Sequence, residues 1–199
     1  MGFAMSWIAV RGRDRDDALR ELGLERETEV TDFPPRAMSV SPLAGGWLLF
    51  VADRDLEAAF EPRFTDLSRV GSAVACAVEE HVMFQEARGY RDGIEVWRVT
   101  HDCNKEGRLY HLEVTGDPPS ELEAIRRTAI ANQDAEGGQQ AGVDFLSDVP
   151  LDLAKAICGF KHDDDWPEGM GFSQLFRPRA AAAPKADGPG FLQRLFGRR

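Results

Sequence analysis

Residues 73–114 read AVACAVEEHVMFQEARGYRDGIEVWRVTHDCNKEGRLYHLEV, and this stretch decides the fold class. Its apolar and β-branched residues predict three consecutive strands, Val74–Arg88, Ile94–Asp102 and Leu109–Val114. Asp92-Gly93 joins the first two and is a strong type I′ signal, because both central residues of that turn need positive φ. Asn104-Lys105-Glu106-Gly107 turns the chain again. Strands joined by turns this short pair antiparallel, since parallel neighbours need a long crossover.

Upstream, Trp7–Val10 reads as a strand and Asp14–Leu22 as a short helix, with Ala18, Leu19 and Leu22 on one face and acids in the first turn. Gly23 is placed for a left-handed cap, with Leu24 packing back. Met38–Val40 and Trp47–Ala52 flank a turn-rich Ser41–Gly46 and predict a hairpin. Trp47, Leu49 and Val51 face one way and Leu48, Phe50 and Ala52 the other, which predicts a central strand covered on both faces. Asp55–Val70 is helical in pattern but interrupted by Pro62, so a kink or two short helices is expected. Downstream, Asp117-Pro118-Pro119 launches a helix to about Asn132, with Leu122, Ile125 and Ala129 in register. Asp148 and Pro150 open a last helix that Gly159 ends. The order β-α-β-β-α-β-β-β-α-α is dominated by hairpins and predicts an α+β fold, a mainly antiparallel sheet with helices packed on it.

The chain has 199 residues, of which 43% are hydrophobic and 29% charged, and its net charge is -10. That charge is uneven. Residues 177–199 carry six basic side chains (Arg177, Arg179, Lys185, Arg194, Arg198, Arg199) against Asp187, a local +5 that leaves -15 on residues 1–176. An acidic body repels phosphate backbones, so nucleic acid is disfavoured as its partner and a basic protein surface is the better match. Solubility alone also accounts for such a charge. Residues 1–176 are expected to form one globular α+β domain, residues 177–190 a Pro/Ala/Gly linker with little to bury, and residues 191–199 a basic amphipathic end. As a helix, that end would place Phe191, Leu192, Leu195 and Phe196 on one face beside Arg194. It suits a groove on a partner, the acidic body itself or, weakly, an anionic membrane surface.

Cys76, Cys103 and Cys158 are widely spaced and odd in number, so neither a disulfide scaffold nor a zinc knuckle is expected, and the reducing cytoplasm is the natural compartment. The N-terminus lacks the basic and apolar regions of a secretory signal, and no apolar run is long enough to span a bilayer. Met1–Ser6 matches the loose myristoylation pattern, a match read as coincidental.

The Asp92-Gly93 turn sets a register in which Arg91 pairs with Ile94, Phe84 falls near His101 and Val99 falls near His111. Trp97, Val99 and His101 would then share a face with Leu109, His111 and Glu113, extended by Phe84 and Glu86. Three chemistries could use that face. One is a metal held by His101, His111 and Glu113, with Glu80 nearby. Another is a Cys103 nucleophile with His101 or His111 as base, although Asp102 beside it raises the thiol pKa. The third is acid–base work by Glu79, Glu80 or Glu86 near His81. No established motif spacing supports any of them. A structural reading is stronger: a histidine on a half-buried strand ordinarily serves as a hydrogen-bonded core residue. Glu86, Arg88, Glu95 and Arg98 can pair across strands for roughly a few tenths of a kcal/mol each.

His162-Asp163-Asp164-Asp165-Trp166 lacks the alternation of a calcium loop. It reads as a solvated acidic loop or, with Trp166, Met170 and Phe172 expected to be exposed, as a contact surface for a basic partner. The glycines match no phosphate cradle, and no cofactor is expected. The sequence thus predicts a non-catalytic interaction module whose partner is a protein, basic in charge, contacted through Phe191, Leu192, Arg194, Leu195, Phe196 and Trp166. An immunity-type protein that masks a basic toxin has this size and charge, an analogy that carries over no residue. The alternatives are a small metal-dependent or cysteine hydrolase on the 73–114 meander, and a peripheral membrane adaptor acting through the tail.

Overall fold

Strand β1 (Ala4–Arg11) lies at the centre of the sheet because its sequence is apolar on both faces: Trp7, Ile8, Ala9 and Val10 are all 0% exposed. It pairs antiparallel with β4 (Trp47–Asp53) on one side and with β5 (Ser72–Glu79) on the other. The computed structural model describes residues 2–34, 38–166 and 170–178. In chain order the remaining elements are α1 (Arg15–Leu22), β2 (Glu25–Arg26), β3 (Met38–Leu43), α2 (Pro62–Thr65), β6 (Phe84–Arg91), β7 (Ile94–Asp102), β8 (Glu113–Gly116), α3 (Glu121–Ala135), α4 (Val149–Cys158) and β9 (Ser173–Phe176). The nine strands form one antiparallel sheet in the order β2-β9-β3-β4-β1-β5-β6-β7-β8. The fold is α+β, as the run of hairpins predicts.

Both faces of the sheet are covered. Trp7, Trp47, Leu49, Val51, Val74, Cys76, Val78, Trp97 and Val99 pack with Leu122 and Ala129 of α3 and with Leu151, Leu153 and Ala154 of α4. On the opposite face Ile8, Val10, Leu48 and Phe50 pack with Ala18 and Leu19 of α1 and with Phe64 and Leu67. Each large side chain buried this way contributes about 1.5–3 kcal/mol. Farther out, the second face of β6 and β7 is ionic: Arg88 meets Glu86 at 2.5 Å and Arg98 meets Glu95 at 3.0 Å. Both edge strands are short and carry charge, which discourages pairing with another chain.

Local signals hold where their chemistry is local. Asp14 caps α1 by accepting from the backbone N–H of Asp16 at 2.8 Å and of Asp17 at 3.3 Å. Gly23 closes it at φ 63°, with Leu24 N–H donating back to the Leu19 carbonyl. Asp92 and Gly93 take φ 55° and 77°, as a type I′ turn requires.

Five expectations are corrected. Val74–Arg88 is two strands, β5 and β6, joined by a turn over Glu80–Met83 that contains neither glycine nor proline; Met83 itself adopts φ 50°. Asp55–Val70 is a chain of short turns around the single helical turn of α2, with Pro62 at its first position. Leu109–Val114 is not one strand: Arg108–Tyr110 is a 3-10 turn and pairing begins only at Glu113. Two further strands, β2 and β9, extend the sheet beyond β3. Asp148 sits at the N-cap of α4 but its carboxylate makes no cap bond and turns to Lys161 instead, at 3.1 Å. The expected binding end, with Phe191, Leu192, Arg194, Leu195 and Phe196, lies outside the described residues.

Candidate functional site

The meander does not assemble the constellation its sequence suggests. A bulge between Gly89 and Tyr90 shifts the register, so Arg91 pairs with Ile94 as expected but His101 pairs with Gln85 and Phe84 with Asp102. The bulge accompanies a close contact: a Cβ on Gly89 would stand 2.0 Å from Trp97 Nε1, so only glycine lets the indole lie there. Val99 pairs with Val114, not His111, and Glu113 pairs with Thr100. Glu113 therefore shares the face of Thr100, opposite to that of His101.

His101 is fully buried and both of its ring nitrogens are engaged. Nδ1 lies 2.8 Å from the His111 carbonyl oxygen, which can only accept, so Nδ1 carries a hydrogen. Nε2 shares a proton with Asp144 Oδ2 at 2.9 Å, and Asp144 Oδ1 accepts from Ser147 N–H at 3.2 Å. His111 Nδ1 accepts from Asp102 N–H at 3.0 Å. These bonds fasten the segment between α3 and α4 to β7. Among the described residues no group of three or more His, Cys, Asp or Glu is placed to hold a metal ion, and the set His101, His111 and Glu113 does not converge. Cys103 donates its thiol to the Val82 carbonyl at 3.3 Å, and its pKa is pushed up by burial and by Asp144 and Asp102. Glu79 binds the exposed His81 ring at 2.7 Å, while Glu86 is bound by Arg88 and by the Thr100 hydroxyl.

Glu80 has a different task. Its Oε2 accepts from Phe3 N–H at 2.8 Å and its Oε1 meets His162 Nε2 at 3.2 Å, so it ties the start of β1 to the segment after α4. Together with the Met5–Asp53 pair of β1 and β4, this tie builds one wall of a cleft of about 640 Å³. The opposite wall is Asp32-Phe33-Pro34, carried there by the pairing of Thr31 with Phe172 just before β9. The segment Phe160–Trp166 closes the cleft.

The floor and rim are aromatic. Trp166 stands 5.8 Å from Phe160, 5.2 Å from Phe172 and 5.7 Å from Phe33 between ring centroids, and its indole N–H donates to the Lys161 carbonyl at 3.0 Å. Phe3 packs edge-on against His162 at 4.8 Å. Phe33 is 73% and Phe3 44% exposed, whereas Phe172, expected on the surface, is fully buried and Trp166 and Met170 are half-buried. Trp166, Met170 and Phe172 are thus less exposed than the sequence suggests, and Trp166 and Met170 line the cleft.

Five aspartates surround these rings: Asp32, Asp53, Asp163, Asp164 and Asp165. Asp164 pairs with Lys155, and Asp163 lies 3.8 Å from Lys161. Asp32, Asp53 and Asp165 have no cationic partner among the described residues. Lys161 cannot supply one. Burial pulls its ammonium down, but Asp148 and Asp152, each at 3.1 Å, outweigh that and hold it above its ordinary value. His162 is 4% exposed, and its Nδ1 has no hydrogen-bond partner. The cleft thus offers carboxylates without a cationic partner among the described residues, together with aromatic faces, a set that complements a donor-rich cation. Asp32, Phe33, Phe3 and Asp53 carry no signal in the sequence; strand pairing alone brings them to Trp166.

Comparison of the chain with protein-family models, with curated proteins and with solved structures gave no match.

Proposed function

We propose that this protein is a non-catalytic binding module whose cleft takes a cationic, arginine-bearing segment of a protein partner. One observation carries the reading: three aspartates without a cationic partner among the described residues ring an aromatic cleft of about 640 Å³. Guanidinium groups stack on aromatic faces while donating to carboxylates, so arginine suits such a lining better than lysine. The -15 carried by residues 1–176 supports it by attracting a basic partner from a distance. A protein that masks a basic partner, in the manner of an immunity-type protein, is the role we favour, and three free cysteines support a reducing compartment such as the cytoplasm.

The test is fluorescence anisotropy of a labelled hexa-arginine peptide titrated with the full chain. Binding is expected to weaken as salt shortens the reach of exposed charges from ~30 Å at 0.01 M to ~8 Å at 0.15 M. With Phe191, Arg194, Leu195 and Phe196 replaced by alanine in both proteins, so that the chain's own basic end does not compete, an Asp32→Asn/Asp53→Asn/Asp165→Asn variant should lose about tenfold in affinity, of the order of one 1.4 kcal/mol step. Equal binding by the triple variant, with its thermal unfolding unchanged, sinks the reading.

A further inference from the structure

We infer that in the resting chain this cleft is occupied by the protein's own C-terminal segment, Phe191–Arg199, which a basic partner must displace. The inference rests on the cleft reading above and adds to it a built-in competitor.

Charge is the first argument. FLQRLFGRR contains three arginines and no acid, and it alternates them with Phe191, Leu192, Leu195 and Phe196. The cleft presents the complement: Asp32, Asp53 and Asp165 unpaired among the described residues, with Phe33 and Trp166 between them.

Reach is the next argument. The described chain ends at Pro178, past the far end of β9, while the cleft lies at the other end, beside Phe172 and Met170. Six residues separate Phe172 from Pro178, a span of about 20 Å at ~3.3 Å per extended residue. Twelve residues, 179–190, join Pro178 to Phe191 and extend to at most about 40 Å. The tether is therefore long enough to return the segment to the cleft without strain. A tether of this length supplies an effective concentration of the order of 1 mM. A free-peptide Kd of about 0.1 mM then leaves the cleft roughly tenfold more occupied than open and weakens a competing ligand by about the same factor.

The experiment uses the full chain throughout, with labelled hexa-arginine as probe. A Phe191→Ala/Arg194→Ala/Leu195→Ala/Phe196→Ala variant, altered only outside the body, should bind the probe about tenfold more tightly than the wild type. Free FLQRLFGRR peptide should compete the probe from that variant at about 0.1 mM. Equal affinity of wild type and tail variant, with both binding, overturns the inference while the cleft reading stands. Failure of both to bind overturns the two together. A wild-type affinity that falls as protein concentration rises, with dimers in sedimentation, makes a second copy the occupant and overturns the intramolecular form. Equal probe affinities with only the wild type co-sedimenting on phosphatidylglycerol vesicles would assign the tail to a membrane surface instead.

Discussion

Replacing Asp144 by alanine tests how the polar network behind the meander is built. The Asp144 side chain is 4% exposed and its partner His101 is 0% exposed, so water cannot stand in for the carboxylate. Alanine strips the acceptor from His101 Nε2 at 2.9 Å and from Ser147 N–H at 3.2 Å at once. Removing one member of a buried pair costs about 3–5 kcal/mol, because the remaining group stays desolvated and unpaired. At ~2–4 °C per kcal/mol for a chain of this size, the thermal midpoint falls by about 10 °C. Asparagine keeps one oxygen but turns an N–H₂ toward the other donor, so Asp144→Asn should cost about 1–3 kcal/mol. His101→Leu/Asp144→Leu removes both polar groups and should cost less than Asp144→Ala alone. Urea denaturation followed by tryptophan fluorescence reads all three. A loss below about 1 kcal/mol for Asp144→Ala refutes the burial of this pair, since that is the range of a solvent-exposed contact.

Other substitutions probe the register, the lysine hub and the thiols. Gly89→Ala pushes a methyl into Trp97 and should cost about 1–3 kcal/mol in urea denaturation; an unchanged midpoint would mean the indole has another place to lie. Lys161→Met leaves Asp148, Asp152 and Asp163 facing one another; their exposure of 41–49% lets water screen them, so the cost should be about 1–2 kcal/mol. The same variant frees Asp163 and should tighten hexa-arginine binding, which anisotropy measures directly. Burial pushes the Cys158 thiol up to about 12 from an ordinary 9.0. As pH climbs through that interval the unfolded thiol ionises while the folded one keeps its proton, so its contribution is intact below the ordinary value and is lost at up to ~1.4 kcal/mol per pH unit above it. Cys158→Ala should flatten that decline, and parallel stability curves for the two proteins would contradict it.

The amino-acid sequence by itself determined the elements whose cause is local. Two-sided apolarity of Trp7–Val10 and Trp47–Ala52 made those strands central and demanded cover on both faces. Asp14, Gly23 and Asp92-Gly93 each acted through neighbours within a few residues, so cap and turn chemistry was legible without the fold. The continuous apolar run from Val74 concealed the turn at Glu80–Met83, because that turn uses no glycine or proline and is held partly from outside, by Glu80 N–H donating to the Phe3 carbonyl. Only the tertiary structure decided the face on which each meander side chain lies: the bulge between Gly89 and Tyr90 moves Phe84 from His101 to Asp102, and separately β8 begins only at Glu113, after the turn at Arg108–Tyr110, which sets Glu113 opposite Thr100 and, with a side-chain period of two, on the other face from His101. The cleft was beyond sequence for a related reason. Asp32, Asp53 and Trp166 lie far apart along the chain and meet because β1 pairs with β4 and the chain before β9 with Thr31. Long-range pairing is chosen by the whole core, and no local pattern encodes which strand ends it will bring together.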